Sequence, residues 1–298
     1  MVQLSNLRKQ RLKYSKVGRF VRLIAEQKIG KISNKRVEGV IKVSIFFVET
    51  HTHLDLIKRN AQEVVKDAAE KKVTKMVTIG IDLESSKIAL EFASRFEGVY
   101  AAIGFHPHES KFLDEENLKE LEKLAIAKKN KVVAIGETGL DYYWNHSTLP
   151  CQMEAFKKQI NLARKLNLPL IIHDREAHRD TLKVLAEEAK GLKILLHCFS
   201  GDLDMAQVCI ERGYYLGIGG VVTFNNAKKL RAIVKEVSLE SLVLETDSPY
   251  LAPHPFRGKP NEPKYIPLIA EKIAEIKGIP LKEVAERTSA NSKKIFGI

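Results

Sequence analysis

Two histidines two residues apart, His51 and His53, directly follow an apolar run and are the clearest chemical feature of the chain. Alternate side chains of a strand share a face, so both imidazoles would project from one side at the end of a strand. Imidazole nitrogens bind zinc and similar transition metals, and two of them on one face make a partial metal site. The pattern also occurs where no metal binds, so its meaning depends on what the chain places at other strand ends.

Four further apolar segments also end in metal-binding residue types. These residues are Glu137, His173, His197 and Asp247. With the two histidines they place six potential ligands at the carboxyl ends of five short apolar segments. Chance placement of six such residues at one structural position is improbable, so we interpret them as one metal site.

The apolar segments also predict the architecture. They are continuous rather than alternating, which is typical of parallel strands buried on both faces, and stretches with helical spacing lie between them. The predicted strands are 43–50, 75–80, 99–104, 132–136, 169–173, 193–197, 214–219 and 242–246. The intervening helical stretches include 61–71, 88–96, 118–127, 153–166 and 182–189. Eight such units in about 250 residues fit a (β/α)8 barrel, whose catalytic residues lie at the carboxyl ends of the strands.

An open, doubly wound sheet would explain the alternation of strands and helices equally well. It would not explain the convergence of six ligands, and the chain contains no glycine-rich dinucleotide fingerprint or phosphate-binding loop to support it. We therefore predict an α/β fold with a single TIM barrel over residues 43–298 and a short basic N-terminal extension over residues 1–42.

Composition limits the remaining classes of protein. With 298 residues, 44% of them hydrophobic, the chain can bury a full core. Its apolar runs stay well below the roughly 18 residues that cross a membrane. The three cysteines, Cys151, Cys198 and Cys209, show no paired spacing, which favours a reducing, cytoplasmic compartment without disulfide bonds. We expect a monomer with no membrane attachment.

Positive charge is concentrated in the first 42 residues. This segment holds twelve lysines and arginines against Glu26 and Glu38, so it carries +10 of the chain's net charge of +12. Four interpretations stay open: a nucleic-acid-binding arm, a targeting peptide, a docked helix around 20–27, and sequence upstream of the true start. Lysine richness and the lack of a long apolar segment argue against a secretory signal. Because the first strand begins near Val43, the barrel does not need this segment.

Five short segments resemble the signature blocks of the TatD-type metal-dependent deoxyribonucleases, a family of the amidohydrolase-like superfamily. They read HTHLD from His51, GFHPH from Gly104, IGETGLDY from Ile135, HCFSG from His197 and ETDSPYL from Glu245. Residues 257–263, RGKPNEP, resemble the segment that follows the last strand in that family. The resemblance covers about 43–298 with two departures: Glu49 stands where the family usually has aspartate, and Asp174 where serine is common.

The resemblance implies two divalent metal ions and a division of the ligands between them. One ion would be held by His51, His53 and Asp247, the second by His173 and His197, with Glu137 bridging the two. Asp247 would also accept the proton of the attacking water. Imidazole and carboxylate ligands suit Zn, Mn, Co or Fe, whereas Mg would require more oxygen ligands than this set offers.

Residues near the ligands are candidates for substrate contacts. The resemblance implies that His106 faces the substrate as a phosphate or nucleophile contact. Arg175 can clamp a phosphate with its planar guanidinium, although an ion pair at the helix entry explains it equally well. Tyr142, with Tyr143 and Trp144, can stack bases at the rim or pack within its loop.

Other polar residues are expected to have supporting roles. Glu245 shares a face with Asp247 and is expected to orient a ligand histidine. The remaining histidines are interpreted as loop, surface or structural residues, and they are His108, His146, His178 and His254.

The expected activity is hydrolysis of phosphodiester bonds in DNA, and the resemblance implies 3'–5' exonuclease action on single strands. The same centre can instead serve an amide, lactone or D-aminoacyl-tRNA ester hydrolase, because activated water attacks carbonyl carbon as well as phosphorus. A non-catalytic nucleic-acid-binding protein is disfavoured because all six ligands are present. DNA or another nucleic acid is the expected partner.

Overall fold

A computed structural model describes residues 45–144 and 146–298, which contain an eight-stranded sheet with the strands in sequential order. The strands are β1 Phe47–Thr52, β2 Val73–Ile79, β3 Val99–Ile103, β4 Val132–Asp141, β5 Leu170–Arg175, β6 Ile194–Leu196, β7 Tyr215–Ile218 and β8 Leu242–Leu244. Each neighbouring pair is parallel. The α-helices of these residues are α1 Ala61–Glu70, α2 Leu83–Arg95, α3 Glu115–Ala127, α4 Leu149–Leu166, α5 His178–Glu188, α6 Leu203–Glu211, α7 Lys228–Glu236, α8 Ile266–Lys277 and α9 Leu281–Phe296.

Contacts between the first strand and the segment after the last strand close the sheet into a barrel. Thr52 forms a parallel bridge with Ser248. The Asp247 N–H donates to the His51 carbonyl at 2.9 Å, and the Thr50 hydroxyl donates to the Leu244 carbonyl at 3.0 Å. The predicted single TIM barrel is therefore confirmed. The predicted extension, residues 1–42, lies outside the described residues, so its boundary stays a prediction.

Several elements differ in length from the predicted ones. Helices α2 and α3 begin at Leu83 and Glu115, earlier than predicted, because their first turns are polar and therefore lack the apolar spacing used to find them. Both are capped by aspartates: Asp82 accepts from the backbone of Ser85, and Asp114 caps α3 in the same way. Strand β4 runs five residues beyond its predicted end at 136.

The barrel interior is filled by aliphatic side chains at alternate strand positions. Ile171 of β5 and Leu195 of β6 belong to this interior cluster. His173 and His197 lie two positions further along, so they share the inward face of the preceding aliphatic residue. Strand periodicity therefore delivers these histidines to the carboxyl end of the interior. In the described part of the chain, no helix combines the length and apolar character needed to cross a membrane.

Candidate metal centre

All six predicted ligands meet at the carboxyl end of the barrel. Together with His106 they form three overlapping groups, and within each group one ligand atom per residue lies within 4.8 Å of the others. The groups are His51, His53 and Asp247; His51, Glu137 and His197; and His106, Glu137 and His173. His106, predicted to contact substrate, therefore lies among the ligands, 3.6 Å from Glu137 Oε1 and 8% exposed.

Glu137 lies between two sets of histidines. Its Oε1 is 2.7 Å from His173 Nδ1 and 2.8 Å from His197 Nε2. Its Oε2 is 3.3 Å from His51 Nε2 and 4.0 Å from His53 Nε2. Burial raises the pKa of Glu137, but interactions with the surrounding histidines, His197 above all, outweigh burial and hold the pKa well below its usual value. An ionised carboxylate with one oxygen toward each set has the arrangement that a bridging ligand requires.

The His51, His53 and Asp247 group has the spacing of metal ligands. Asp247 Oδ1 is 3.7 Å from His51 Nε2 and 3.6 Å from His53 Nε2. Nitrogen and oxygen ligands about 2.1 Å from a tetrahedral zinc ion would be roughly 3.4 Å apart. Both His51 ring nitrogens are buried without a hydrogen bond, and burial lowers its pKa to about 4, so the ring is neutral. These residues fit a divalent cation.

The second set is held by hydrogen bonds and charge. His173 Nδ1 and His197 Nε2 lie closer to Glu137 Oε1 than the roughly 3.4 Å that separates two ligands of a tetrahedral zinc ion. Burial lowers the pKa of His197, but the carboxylate of Glu137 outweighs it and raises that pKa to about 10. The donor types suit a second cation, which would have to replace the proton that His197 carries.

Asp141, for which the sequence predicts no role, contacts the ring nitrogen of His173 that faces away from Glu137. Its Oδ2 lies 3.1 Å from His173 Nε2 and 2.9 Å from His108 Nε2. Its Oδ1 accepts from the backbone N–H groups of Tyr143 and Trp144. A carboxylate on the outer nitrogen fixes the orientation of a ligand histidine. The signal was available, since Asp141 follows Glu137 by four residues on one strand and alternate residues share a face.

His108 was expected to be a loop residue, and it lies in the connection between β3 and α3. It lies in a 3-10 helix, Pro107–Phe112, contacts Asp141 and lines the same cavity as the ligands. Its neighbour in space is His146, whose ring centroid is 4.6 Å away. His108 extends the polar wall of the site outward from Asp141, and the exposed His146 lies beside it.

Two buried glutamates lie beneath the ligands. Glu49 Oε1 accepts from the backbone N–H groups of His51 and Thr246, both at 2.9 Å, and so joins β1 to the segment that carries Asp247. Glu245 accepts from the Cys198 N–H. It lies 3.9 Å from His197 Nδ1, which has no hydrogen-bond partner, so its influence on that ring is electrostatic.

A cavity of about 500 Å³ opens over the ligands. Arg175 lines it, with its guanidinium 4.2 Å from the Tyr143 ring centroid and 5.9 Å from that of Trp144. Within residues 45–144 and 146–298, the guanidinium of Arg175 contacts these two rings and forms no ion pair. Trp144 and Tyr250 also line this cavity.

Tyr142, predicted to contact substrate, is directed away from the cavity. Its ring packs against the hydrophobic core between barrel and helices, and its hydroxyl donates to Asp180 at 2.7 Å. Burial and this carboxylate raise the pKa of Tyr142 to about 12. Of Tyr142, Tyr143 and Trp144, it is Trp144 that lines the cavity and can stack with a base at this edge of the site.

Comparison with known proteins agrees with this geometry. The family model described as TatD related DNase matches residues 48–297. The chain is 43% identical over 253 residues to YabD of Bacillus subtilis, named an uncharacterized metal-dependent hydrolase, and the match covers 84% of this chain and 98% of the relative. A metal-dependent hydrolase named TatD from Mycobacterium tuberculosis is 40% identical over 260 residues, which is 84% of this chain and 98% of the relative.

A solved structure gives the same result. The crystal structure of YJJV, a TatD homologue from Escherichia coli, superposes with a TM-score of 0.80 at 29% identity and covers 85% of this chain and 98% of that one. Fold, convergent ligands and sequence relatives agree. The chain belongs to the family of TatD-related DNases and is a metal-dependent hydrolase.

Proposed function

We propose that the protein uses two divalent ions to hydrolyse phosphodiester bonds of DNA, releasing nucleotides from the 3' end of single strands. The observation that carries the proposal is the position of Glu137, which turns one oxygen to each set of histidines beneath a cavity lined by Arg175. Two ions held there would act as Lewis acids, activating water and neutralising charge on a phosphate.

The protein's own side chains accept the proton and bind the phosphate. Asp247 accepts the proton of the attacking water, because burial raises its pKa but the contact with His53 outweighs burial and keeps it ionised. Arg175, which lines the cavity, binds a non-bridging phosphate oxygen with its planar guanidinium. His106, neutral because burial holds its pKa well below the usual value, contacts the phosphate without adding charge.

The rim of the cavity favours an unpaired strand. Of the nine large apolar side chains exposed in the described part of the chain, four line this cavity: Leu56, Trp144, Tyr250 and Leu251. Aromatic surfaces bind unpaired bases by stacking, which a duplex does not offer. A concentration of exposed apolar groups at one opening therefore supports a single-stranded substrate.

The test is a nuclease assay on metal-stripped protein re-titrated with Zn, Mn, Co, Fe or Mg. The substrates are a labelled single strand with a free 3' end, the same strand with its 3' end blocked, and its duplex. We expect metal-dependent release of mononucleotides from the free single strand, and loss of that release in Glu137→Ala but not in Glu91→Ala, an exposed glutamate of α2. Turnover of D-aminoacyl-tRNA, lactones or amides without DNA cleavage would overturn the proposal, and so would DNA binding without turnover.

A further inference from the structure

A second cavity, of about 310 Å³, lies at the carboxyl ends of β6 and β7. Its lining includes Cys198, Phe199 and Ser200 after β6, and Phe224 and Asn226 after β7. Its volume is at the lower end of the range for small-molecule sites. None of the roles assigned above uses it.

Consecutive residues of the chain line the second cavity and the cavity of the metal centre. His197 lines the first cavity and Cys198, the next residue, lines the second. Gly217 and Gly219 form part of its floor, and a Cβ on Gly217 would lie 2.2 Å from Glu245 Oε2, beside His197. The lining of the second cavity therefore begins at the residue that follows the proposed ligand His197.

The lining has the chemistry of a site for a flat ring with a polar edge. Phe199 and Phe224 supply aromatic surface, and the guanidinium of Arg257 lies 4.4 Å from the Phe224 ring centroid. Asn226 is exposed and lines the cavity, so its side-chain amide is accessible to a bound molecule. Amides of this kind pair with the hydrogen-bonding edges of bases. Lys229, also in the lining, adds positive charge.

We propose that the second cavity holds the base of the nucleotide whose phosphate lies at the metal centre. The inference rests on the proposed function and adds the place of the terminal base to it. A nucleotide joins a flat, polar-edged ring to a phosphate through one sugar, which suits an aromatic cavity whose lining begins at the residue after a metal ligand. Bases further along the strand then lie against the rim residues Trp144 and Tyr250.

The test is a binding comparison that does not depend on cleavage. Binding of thymidine 5'-monophosphate and of 2-deoxyribose 5-phosphate to the metal-loaded protein is measured by calorimetry. The two probes share sugar and phosphate and differ in the base. Stacking of a base contributes enough free energy that the nucleotide should bind about tenfold to a hundredfold more tightly.

Two variants act on the second cavity in opposite ways. Phe224→Ala removes an aromatic wall, whereas Ala227→Phe fills the cavity. Ala227 precedes α7 and makes no side-chain capping bond, so the larger residue removes no cap. Both variants should bring the ratio of the two affinities close to one while binding of the sugar phosphate stays within about threefold of wild type. Phe112→Ala, an exposed phenylalanine outside both cavity linings, should keep the wild-type ratio.

The outcomes separate this inference from the proposed function. A wild-type ratio near one, or a ratio lost in Trp144→Ala and kept in both cavity variants, would overturn the inference whether or not the protein cleaves DNA. A ratio that collapses only in the cavity variants supports the inference, even if the nuclease assay is negative. Wild-type metal content and circular dichroism in each variant exclude misfolding as the cause.

Discussion

Glu137 is the residue at which the two sets of histidines meet, and its removal should affect both. We expect Glu137→Ala to lower the occupancy of both metal ions and to reduce hydrolysis at least ~100-fold, since each ion loses a ligand. Elemental analysis and a turnover assay on the same preparation measure the two effects. Glu109→Ala, which changes another glutamate of the cavity, is the control. Two bound ions with near wild-type turnover would contradict the bridging role.

Asp247 is proposed both to bind a metal ion and to accept a proton, and one substitution can separate these two roles. Asp247→Asn keeps an oxygen for the metal but cannot accept a proton, and should lose activity by about 10²–10⁴-fold while losing far less metal. The measurement is the pH dependence of turnover alongside metal content. If the variant keeps the rate and pH profile of the wild type, the proton goes to another group.

The protonation of His197 predicts that metal binding releases protons. Its pKa of about 10 in the metal-free protein means that the ring is charged at neutral pH and must lose its proton to bind a cation. Affinity at this set should therefore fall as the pH is lowered. For the same reason, the charged ring stabilises the metal-free fold fully below pH 6.5, and this contribution is lost as the pH rises through about 10.

Calorimetry of metal binding in two buffers of different ionisation enthalpy counts the released protons. His51, whose pKa is lowered to about 4, contributes none at neutral pH. We expect His197→Gln to release fewer protons than the wild type. Equal proton release from both proteins would show that His197 is not charged in the metal-free state.

At the scale of elements, the seam between β1 and the segment after β8 carries three ligands. Glu49 joins the two sides by accepting from the His51 and Thr246 N–H groups. Burial raises the pKa of Glu49 well above its usual value, which favours the neutral carboxyl, and Gln is a close replacement for that form. We expect Glu49→Ala to lower the free energy of unfolding by about 1–3 kcal/mol by leaving buried N–H groups unpaired.

Glu49→Gln should keep most of that stability, because an amide oxygen can accept the same two hydrogen bonds. Denaturant unfolding of the metal-free proteins measures stability, and metal titration reports whether His51 and Asp247 stay in position. Equal stability of the Ala and Gln variants would mean that the seam does not depend on this acceptor.

Strand β4 shows which parts of the site were predictable. Its apolar start and the ligand Glu137 stand out in the sequence. The continuation to Asp141 did not, because Gly136 and Gly139 interrupt the apolar run and glycine is a weak strand former. Both glycines have positive φ, and a Cβ on Gly139 would lie 2.0 Å from the His173 carbonyl oxygen. Close packing against β5 required them, and a single sequence does not reveal such a contact.

The ligands were predictable for a different reason from the substrate contacts. Their positions follow from strand periodicity, which fixes the direction of every second side chain. Tyr142 and Trp144 lie in a loop, where no period applies. Only the structure distinguishes the ring that packs on the core from the ring that lines the cavity.

At the scale of the whole molecule, the basic extension is separable from the barrel in sequence. All eight strands and the six ligands lie between 47 and 247, so deletion of residues 1–42 should preserve the fold and metal content. If the extension contacts DNA, deletion should reduce the slope of log affinity against log salt concentration by about 0.7 for each lost phosphate contact. Binding of both proteins to a labelled single strand across a salt series measures this. Loss of folding on deletion would contradict the prediction.

The last helix of the barrel and the residues that follow it pack against the first strand. Helix α9 reaches the start of the barrel, where the Ser289 hydroxyl donates to the Phe46 carbonyl at 3.3 Å. Ile295, Phe296 and Ile298 pack into the interior cluster with Val48 of β1. On a ribosome that adds about 5–20 residues per second, β1 would wait roughly 10–40 s for β8. During that time its apolar faces are uncovered, so the nascent chain should be a client of chaperones that shield hydrophobic segments.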